Sequence, residues 1–167
     1  MLGTKTEQRR KIYLNIKNGA IVRRTADNQE EYFEYVEGAV ERIYQRQRTF
    51  HNEEVMYWYI DLRDEEGELY SLGFPYGSNT FKSIILNLAS ATDLSRVRIR
   101  PYRANDRDKV VVYANGVKLD WAIKQLPPVA EVVINGRKVK DDTERMKLIT
   151  SLVAEIGKLV GKTIVTH

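Results

Sequence analysis

Residues 55–74 read VMYWYIDLRDEEGELYSLGF and decide the predicted fold of the chain. Apolar side chains occupy every second position from Met56 to Leu62, which is the period of a half-buried β-strand. The acidic run at 64–67 ends in glycine and predicts a turn, after which residues 68–74 return as a second strand. The sequence therefore predicts a hairpin with one apolar face at the centre of the fold.

A long strand is predicted before this hairpin, over residues 36–50. Its alternation is broken between Val40 and Ile43, and Gly38 lies close to the break. A glycine beside such a break indicates a bulge, which allows one strand to bend across two sides of a barrel.

An amphipathic helix is predicted after the hairpin, because apolar residues recur at three- and four-residue spacing between Phe81 and Leu88. Ser78 or Asn79 can cap this helix, which is expected to end near residue 91.

Two more strands are predicted at 95–103 and 109–113, joined by a polar loop at 104–108. Five strands with a helix after the third follow the order of the OB-fold. The predicted fold is therefore mainly β, a five-stranded OB-fold barrel with a helix between strands 3 and 4.

Further elements are predicted at both ends of the barrel. Asn18-Gly19 predicts the turn of a hairpin over 11–24, and Asn135-Gly136 predicts that of a hairpin over 131–140. A helix with one apolar stripe follows at about 143–159. We expect one compact unit made of an N-terminal hairpin extension at 1–30, an OB-fold barrel at 31–126, and a C-terminal hairpin and amphipathic helix at 127–167.

Composition limits the classes of function. The 167 residues include no cysteine, which excludes disulfides, thiolate metal sites and cysteine nucleophiles. No apolar run approaches the roughly 20 residues that span a bilayer, and no signal-peptide core is visible, so a soluble intracellular protein is expected. The net charge of +4 is modest, so the placement of the charges is more informative than their sum.

Four stretches resemble OB-fold single-stranded DNA-binding proteins, particularly the small forms of phages and mobile elements. The resemblance implies binding of single-stranded DNA with little sequence selectivity, in replication, recombination or repair, in the cytoplasm of a bacterial or phage-infected cell. The bacterial family ends in an acidic tail that recruits partners, whereas this chain ends GKTIVTH, so the resemblance does not extend to that recruitment. The four stretches are 37–43 (EGAVERI), 57–62 (YWYIDL), 64–70 (DEEGELY) and 96–100 (RVRIR).

Single-strand binders use cations that follow the phosphates and rings on which bases stack, at roughly 1–3 kcal/mol per base. Both occur at alternate positions of the predicted strands. If Val97 and Ile99 point into the barrel, the residues between them share its outer face, although outward arginines also serve simply to protect a sheet edge. Trp58 is predicted to lie in the core. The candidate nucleic-acid-binding residues are Arg42, Tyr44, Arg46, Arg48, Tyr57, Tyr59, Arg96, Arg98, Arg100, Tyr102, Arg103, Arg107 and Lys109.

Two loops are expected to hold the ligand, because the loops after the first and fourth strands do so in OB-folds. They correspond to 48–54 and 103–109. The second contains charges of both signs, so an ordinary solvated turn is the alternative. Residues 9–24 carry six cations and no acid, and would either extend the binding track or keep the hairpin soluble.

The sequence contains no recognised catalytic motif. The two histidines, His51 and His167, lack the spacing of metal ligands. There is no P-loop, dinucleotide-binding fingerprint or nucleophile elbow, so neither an enzyme nor a cofactor is expected. An RNA-binding OB domain and a protein-interaction or assembly module remain alternatives. The end hairpins could also pair strands between copies in a homo-oligomer.

Overall fold

The computed structural model of the protein describes the backbone of residues 11–165 and the side chains up to residue 160. Over this range the chain forms eleven strands and two helices. The strands are β1 (Ile12–Lys17), β2 (Ala20–Arg24), β3 (Glu30–Phe33), β4 (Val36–Phe50), β5 (Glu53–Arg63), β6 (Leu69–Pro75), β7 (Val97–Ala104), β8 (Arg107–Ala114), β9 (Val117–Lys118), β10 (Ala130–Ile134) and β11 (Arg137–Asp141), and the helices are α1 (Asn79–Leu88) and α2 (Thr143–Val165).

Nine strands form one sheet in the order β3-β2-β1-β6-β5-β4-β7-β8-β9. Neighbouring strands are antiparallel except β1 and β6, which run parallel with Leu14 opposite Leu72. The N-terminal hairpin was expected ahead of the main unit, but it extends the main sheet from the edge of β6. Residues 27–31 are polar and acidic and are expected to form a connector, but strand β3 begins within this segment and pairs with β2.

Strand β4 connects the two halves of the sheet. Its first three residues pair with β7, whereas the chain from Ala39 onward pairs with β5. The register shifts between Val40 and Arg42, which confirms the predicted bulge. A Cβ atom on Gly38 would lie 2.7 Å from the carbonyl oxygen of Arg63, so this bend requires a glycine.

Strands β4 to β8 and helix α1 follow the predicted order, but no closed barrel is found among the described residues. Closure would require β6 to pair with β8, and β6 pairs with β1 instead. The turn of the N-terminal hairpin also contacts the β7–β8 hairpin, where the backbone N–H of Gly19 donates to the Asp108 carboxylate at 2.7 Å. The inserted hairpin therefore occupies the place at which a five-stranded barrel would close. The fold is mainly β and is built on one large sheet.

Helices cover one face of this sheet and form the core with it. The ring of Trp58 stacks on that of Phe81 in α1, with centroids 4.8 Å apart, so Trp58 lies in the core as predicted. Ile149 and Ile156 of α2 belong to the same core. The predicted N-cap is confirmed at Ser78, whose hydroxyl accepts a hydrogen bond from the N–H of Phe81.

The two loops predicted to hold the ligand consist largely of strand. His51-Asn52 joins β4 to β5 and Asn105-Asp106 joins β7 to β8, all four residues with φ between +49° and +65°. These are two-residue hairpin turns of the left-handed type, which asparagine and aspartate tolerate. Residues 53–54, 104 and 107–108 were therefore wrongly predicted as parts of loops, because polar residues also continue a solvent-exposed strand.

The C-terminal hairpin, β10 and β11, forms a separate two-stranded sheet about Asn135-Gly136, as predicted. Its exposed side chains include Val133, Ile134 and Val139. Helix α2 begins at Thr143, as the sequence predicts. Within the described range, neither helix has the length and apolar character needed to cross a bilayer.

Candidate nucleic-acid interface

The sheet face opposite the helices carries the predicted residues of β4 and β5. Tyr44 lies opposite Tyr59, and Arg46 lies opposite Tyr57. Residues directly opposite each other in an antiparallel pair project to the same side, so these side chains share one surface. We call this surface the tyrosine face, made up of Tyr13, Arg42, Tyr44, Arg46, Arg48, Phe50, Tyr57 and Tyr59.

Tyr59 lies at the centre of the tyrosine face. Its ring stacks on Tyr44 at 5.5 Å between centroids, and Tyr57 and Tyr13 each lie 6.2 Å away. Phe50 continues the series at 5.6 Å from Tyr57. Tyr59 itself is only 3% exposed, so it supports the neighbouring rings and offers no free face. Tyr13 and Phe50 are exposed and were not among the predicted residues.

The ring of Tyr59 lies directly over Gly73 of β6, its cross-strand partner. A Cβ atom on Gly73 would lie 2.9 Å from Cε1 of that ring. The absence of a side chain at Gly73 therefore allows Tyr59 to lie flat against the sheet and to hold the other rings in place.

We expect Gly73→Ala to lower the free energy of unfolding by about 1–3 kcal/mol, because the added methyl group overpacks the buried ring of Tyr59. Urea denaturation followed by circular dichroism measures this change. Gly77→Ala is the matched control, since a Cβ atom there meets nothing within 4 Å. Equal stability of the two variants would contradict the packing of Tyr59 on Gly73.

Arginine side chains lie over the rings of the tyrosine face. The guanidinium of Arg42 lies 4.2 Å from the centroid of Tyr44, and that of Arg48 lies 5.5 Å from Phe50. Nη1 of Arg48 also donates a hydrogen bond to the hydroxyl of Tyr59 at 2.6 Å. None of Arg42, Arg46 and Arg48 forms an ion pair with an acid in the part of the chain that the structure describes. Their charges therefore remain available to an anionic ligand.

A buried polar network anchors one side of this face. Asp61 is buried, and its carboxylate lies 2.9 Å from Nζ of Lys11 and accepts a hydrogen bond from the hydroxyl of Tyr44. Burial lowers the pKa of Lys11, but its hydrogen bonds to Tyr44 and Asp61 outweigh that effect and raise the pKa above the usual value. Lys11 is therefore cationic, and the network fixes the orientation of the Tyr44 ring.

The predicted ladder on β7 has the orientation that the sequence indicates. Val97 and Ile99 are fully buried, which confirms that the residues between them point outward. The ladder is partly neutralised, however, because Nε of Arg96 and of Arg98 donate to Glu37 at 2.9 and 2.6 Å. The hydrogen bonds from these arginines lower the pKa of the Glu37 carboxyl. Glu37 therefore competes with any phosphate for these two arginines.

The remaining predicted residues of β7 and β8 differ in their contacts. Arg103 donates to the side-chain oxygen of Asn18 and to the carbonyl of Asp106, so it joins two turns. Among these residues, Arg100, Arg107 and Lys109 have exposed side chains that form no ion pair with an acid within the described range. Together with the exposed ring of Tyr102 they form a second group on β7 and β8, beyond the residues at which β7 pairs with β4.

The hairpin of β4 and β5 extends beyond its neighbour in the sheet. Pairing of β5 with β6 ends at Tyr57 and Pro75, whereas pairing of β5 with β4 continues to Phe50 and Glu53. The outer part of this hairpin therefore projects as a two-stranded arm that carries Arg48 and Phe50, and Arg46 lies at its base. The rings and cations of the tyrosine face thus continue from the sheet onto the arm.

Comparisons of the chain with protein-family models, with curated proteins and with solved structures find no match. The arrangement of the residues described above is therefore the basis on which a function is inferred.

Proposed function

We propose that the protein binds single-stranded DNA across the tyrosine face, with little sequence selectivity, in replication, recombination or repair. One observation carries the proposal, namely that stacked rings and arginines without acidic partners share the sheet face that the helices leave open. Rings stack on any base, and guanidinium groups contact the phosphates that every nucleotide carries. Such a surface attracts a single strand without reading its sequence.

The strand order supports a relation to OB-fold proteins of the phage and mobile-element type. Strands β4 to β8, with α1 between β6 and β7, have the order of that fold, and the bulged β4 acts as the strand shared between its two halves. In this proposal the N-terminal hairpin opens the barrel by inserting beside β6. The arm formed by β4 and β5 then corresponds to the loop between the first two strands of an OB-fold, which closes over the ligand.

The direct test is a titration of a labelled dT oligomer of about 30 nucleotides with the full chain, followed by fluorescence anisotropy at several salt concentrations. We expect binding that weakens linearly with salt on logarithmic axes. Absence of binding at low salt would overturn the proposal. Competition with an RNA oligomer of the same length and with duplex DNA tests the ligand class, and tighter binding of RNA would favour the alternative of an RNA-binding domain.

Glu37→Gln should strengthen binding of the same oligomer. The substitution keeps the size of the side chain but removes the charge that holds Arg96 and Arg98. If both arginines then contact phosphates, the slope of the logarithm of the binding constant against the logarithm of the salt concentration becomes steeper by up to about 1.4, at roughly 0.7 per contact. Glu41→Gln, which removes a similar partner from Arg63, is the control and should leave the slope unchanged. Equal slopes for both variants and the unmodified protein would exclude the β7 ladder from the binding track.

A second proposal concerns assembly, and one observation favours it. The C-terminal hairpin exposes Val133 and Ile134, and both outer edges of its two-stranded sheet are unpaired in the described structure. An isolated hairpin is marginally stable in water, so pairing with the same hairpin of a second copy would stabilise it. Sedimentation equilibrium should then show a dimer that Val133→Lys combined with Ile134→Lys converts to a monomer. A monomeric unmodified protein would rule this out.

A further inference from the structure

A cleft outside the tyrosine face lies between the free edge of β8, helix α1 and the segment that follows β9. Its volume is about 350 Å³. Two large rings line it, Tyr102 and Trp121, which are 43% and 39% exposed. Lys118 and Lys124 lie at its margin with a single acid, Asp120. The cleft therefore combines exposed rings with a small excess of positive charge.

Asn87 of α1 contributes a polar side chain to this cleft. The residue is only 5% exposed, and it lines the cleft. Its backbone carbonyl accepts hydrogen bonds from the residues that end α1, but its side-chain amide has no hydrogen-bond partner within the described residues. The amide is therefore a hydrogen-bonding group that lines the cleft and can bond to a ligand there.

The wall that carries Trp121 is held in place by the surrounding structure. Nε1 of the indole donates to the hydroxyl of Ser83 at 3.2 Å. The backbone N–H of Ala122 donates to the carbonyl of Leu86, and that of Leu119 donates to Val112. The indole is therefore fixed at its polar edge while part of its surface remains accessible, as a stacking platform requires.

We propose that this cleft binds one base of the single strand, an inference that rests on the proposed function. Tyr102 and Trp121 provide stacking surfaces, the Asn87 amide hydrogen-bonds to the edge of the base, and Lys118 and Lys124 contact the neighbouring phosphates. Tyr102 follows Arg100 at the next outward-facing position of β7, so the cleft adjoins the second group of predicted residues.

The amide also gives this position a preference that the tyrosine face lacks. An asparagine amide presents one donor beside one acceptor, a pattern that matches the N6 and N7 edge of adenine. We therefore expect one base-selective position in an otherwise sequence-tolerant track.

Tryptophan fluorescence tests the cleft separately from binding as a whole. The chain has two tryptophans, and Trp58 is buried in the core, so a ligand reaching Trp121 quenches Trp121 alone. With excitation that avoids tyrosine, a saturating dT oligomer should quench the unmodified protein, and Trp121→Phe should abolish the quenching. Trp121→Phe keeps a ring for stacking and should retain most of the affinity. Trp121→Ala removes the ring and should weaken binding about fivefold or more.

Base preference tests the role of Asn87. A dT oligomer with a few adenines at its centre should bind more tightly than dT alone, and Asn87→Ala should remove the difference between the two affinities. Anisotropy that reports tight binding without a change in Trp121 emission, and with full affinity in Trp121→Ala, would overturn the cleft but leave the proposed function standing. If no oligomer binds in the anisotropy experiment, the proposed function fails and the cleft proposal fails with it.

Discussion

Replacing Arg42, Arg46 and Arg48 together with alanine will lower the affinity for single-stranded DNA by about a hundredfold, at roughly 1 kcal/mol for each lost phosphate contact. The three side chains follow alternate positions of β4 on the tyrosine face, without an acidic partner in the described structure. The slope of the logarithm of the binding constant against the logarithm of the salt concentration should become shallower by about 2, because each lost contact contributes roughly 0.7. Anisotropy titrations at several salt concentrations measure both quantities.

The control for this experiment removes the same charge elsewhere. Arg137, Lys138 and Lys140 are exposed on β11 of the C-terminal hairpin. Their replacement by alanine changes the net charge by the same amount, so any general attraction for DNA falls equally in both triple variants. Affinity that drops to the same extent in both would show that overall charge, and not the tyrosine face, determines binding.

Phe81→Ala will lower the free energy of unfolding by about 3–5 kcal/mol, the usual loss for a large buried aromatic side chain. Phe81 is fully buried and stacks on Trp58, and its centroid lies 5.6 Å from that of Phe74. It thus joins α1 to β5 and β6, strands whose opposite face carries Tyr57 and Tyr59 or supports them. Urea denaturation followed by circular dichroism measures the loss.

The matched control is Phe33→Ala, which removes the same ring from an exposed position on β3. We expect a loss of less than about 1 kcal/mol there, because little apolar surface is buried at that site. A small loss for Phe81→Ala would contradict the placement of α1 against the sheet.

Features that depend on neighbouring residues could be predicted from the sequence. Alternation in residues 55–74 gave the central hairpin, and the Asn-Gly pairs gave the turns of both end hairpins, because these signals need only the local chain. The broken spacing after Gly38 located the bulge for the same reason. The outward direction of Arg98 and Arg100 followed from the buried positions on either side of them.

Features that depend on distant residues could not be predicted. The parallel pairing of β1 with β6 places Tyr13 beside Ser71, and nothing in either segment specifies the other. For that reason Tyr13 was missing from the predicted site, and Lys11 was predicted only as one of the cations of residues 9–24. The alternation of Tyr13 with apolar residues could have marked it as outward-facing. The pairing of Arg98 with Glu37 likewise spans 61 residues, so the partial neutralisation of the ladder had no local sign.

Photocrosslinking tests the proposed interface most directly. A halogenated single-stranded oligomer is irradiated in complex with the full chain, and the attached residues are identified by mass spectrometry. The structure leads us to expect crosslinks at Tyr44, Phe50 and Tyr57, on the tyrosine face and its arm. Crosslinks confined to the C-terminal hairpin and α2 would contradict binding on this face.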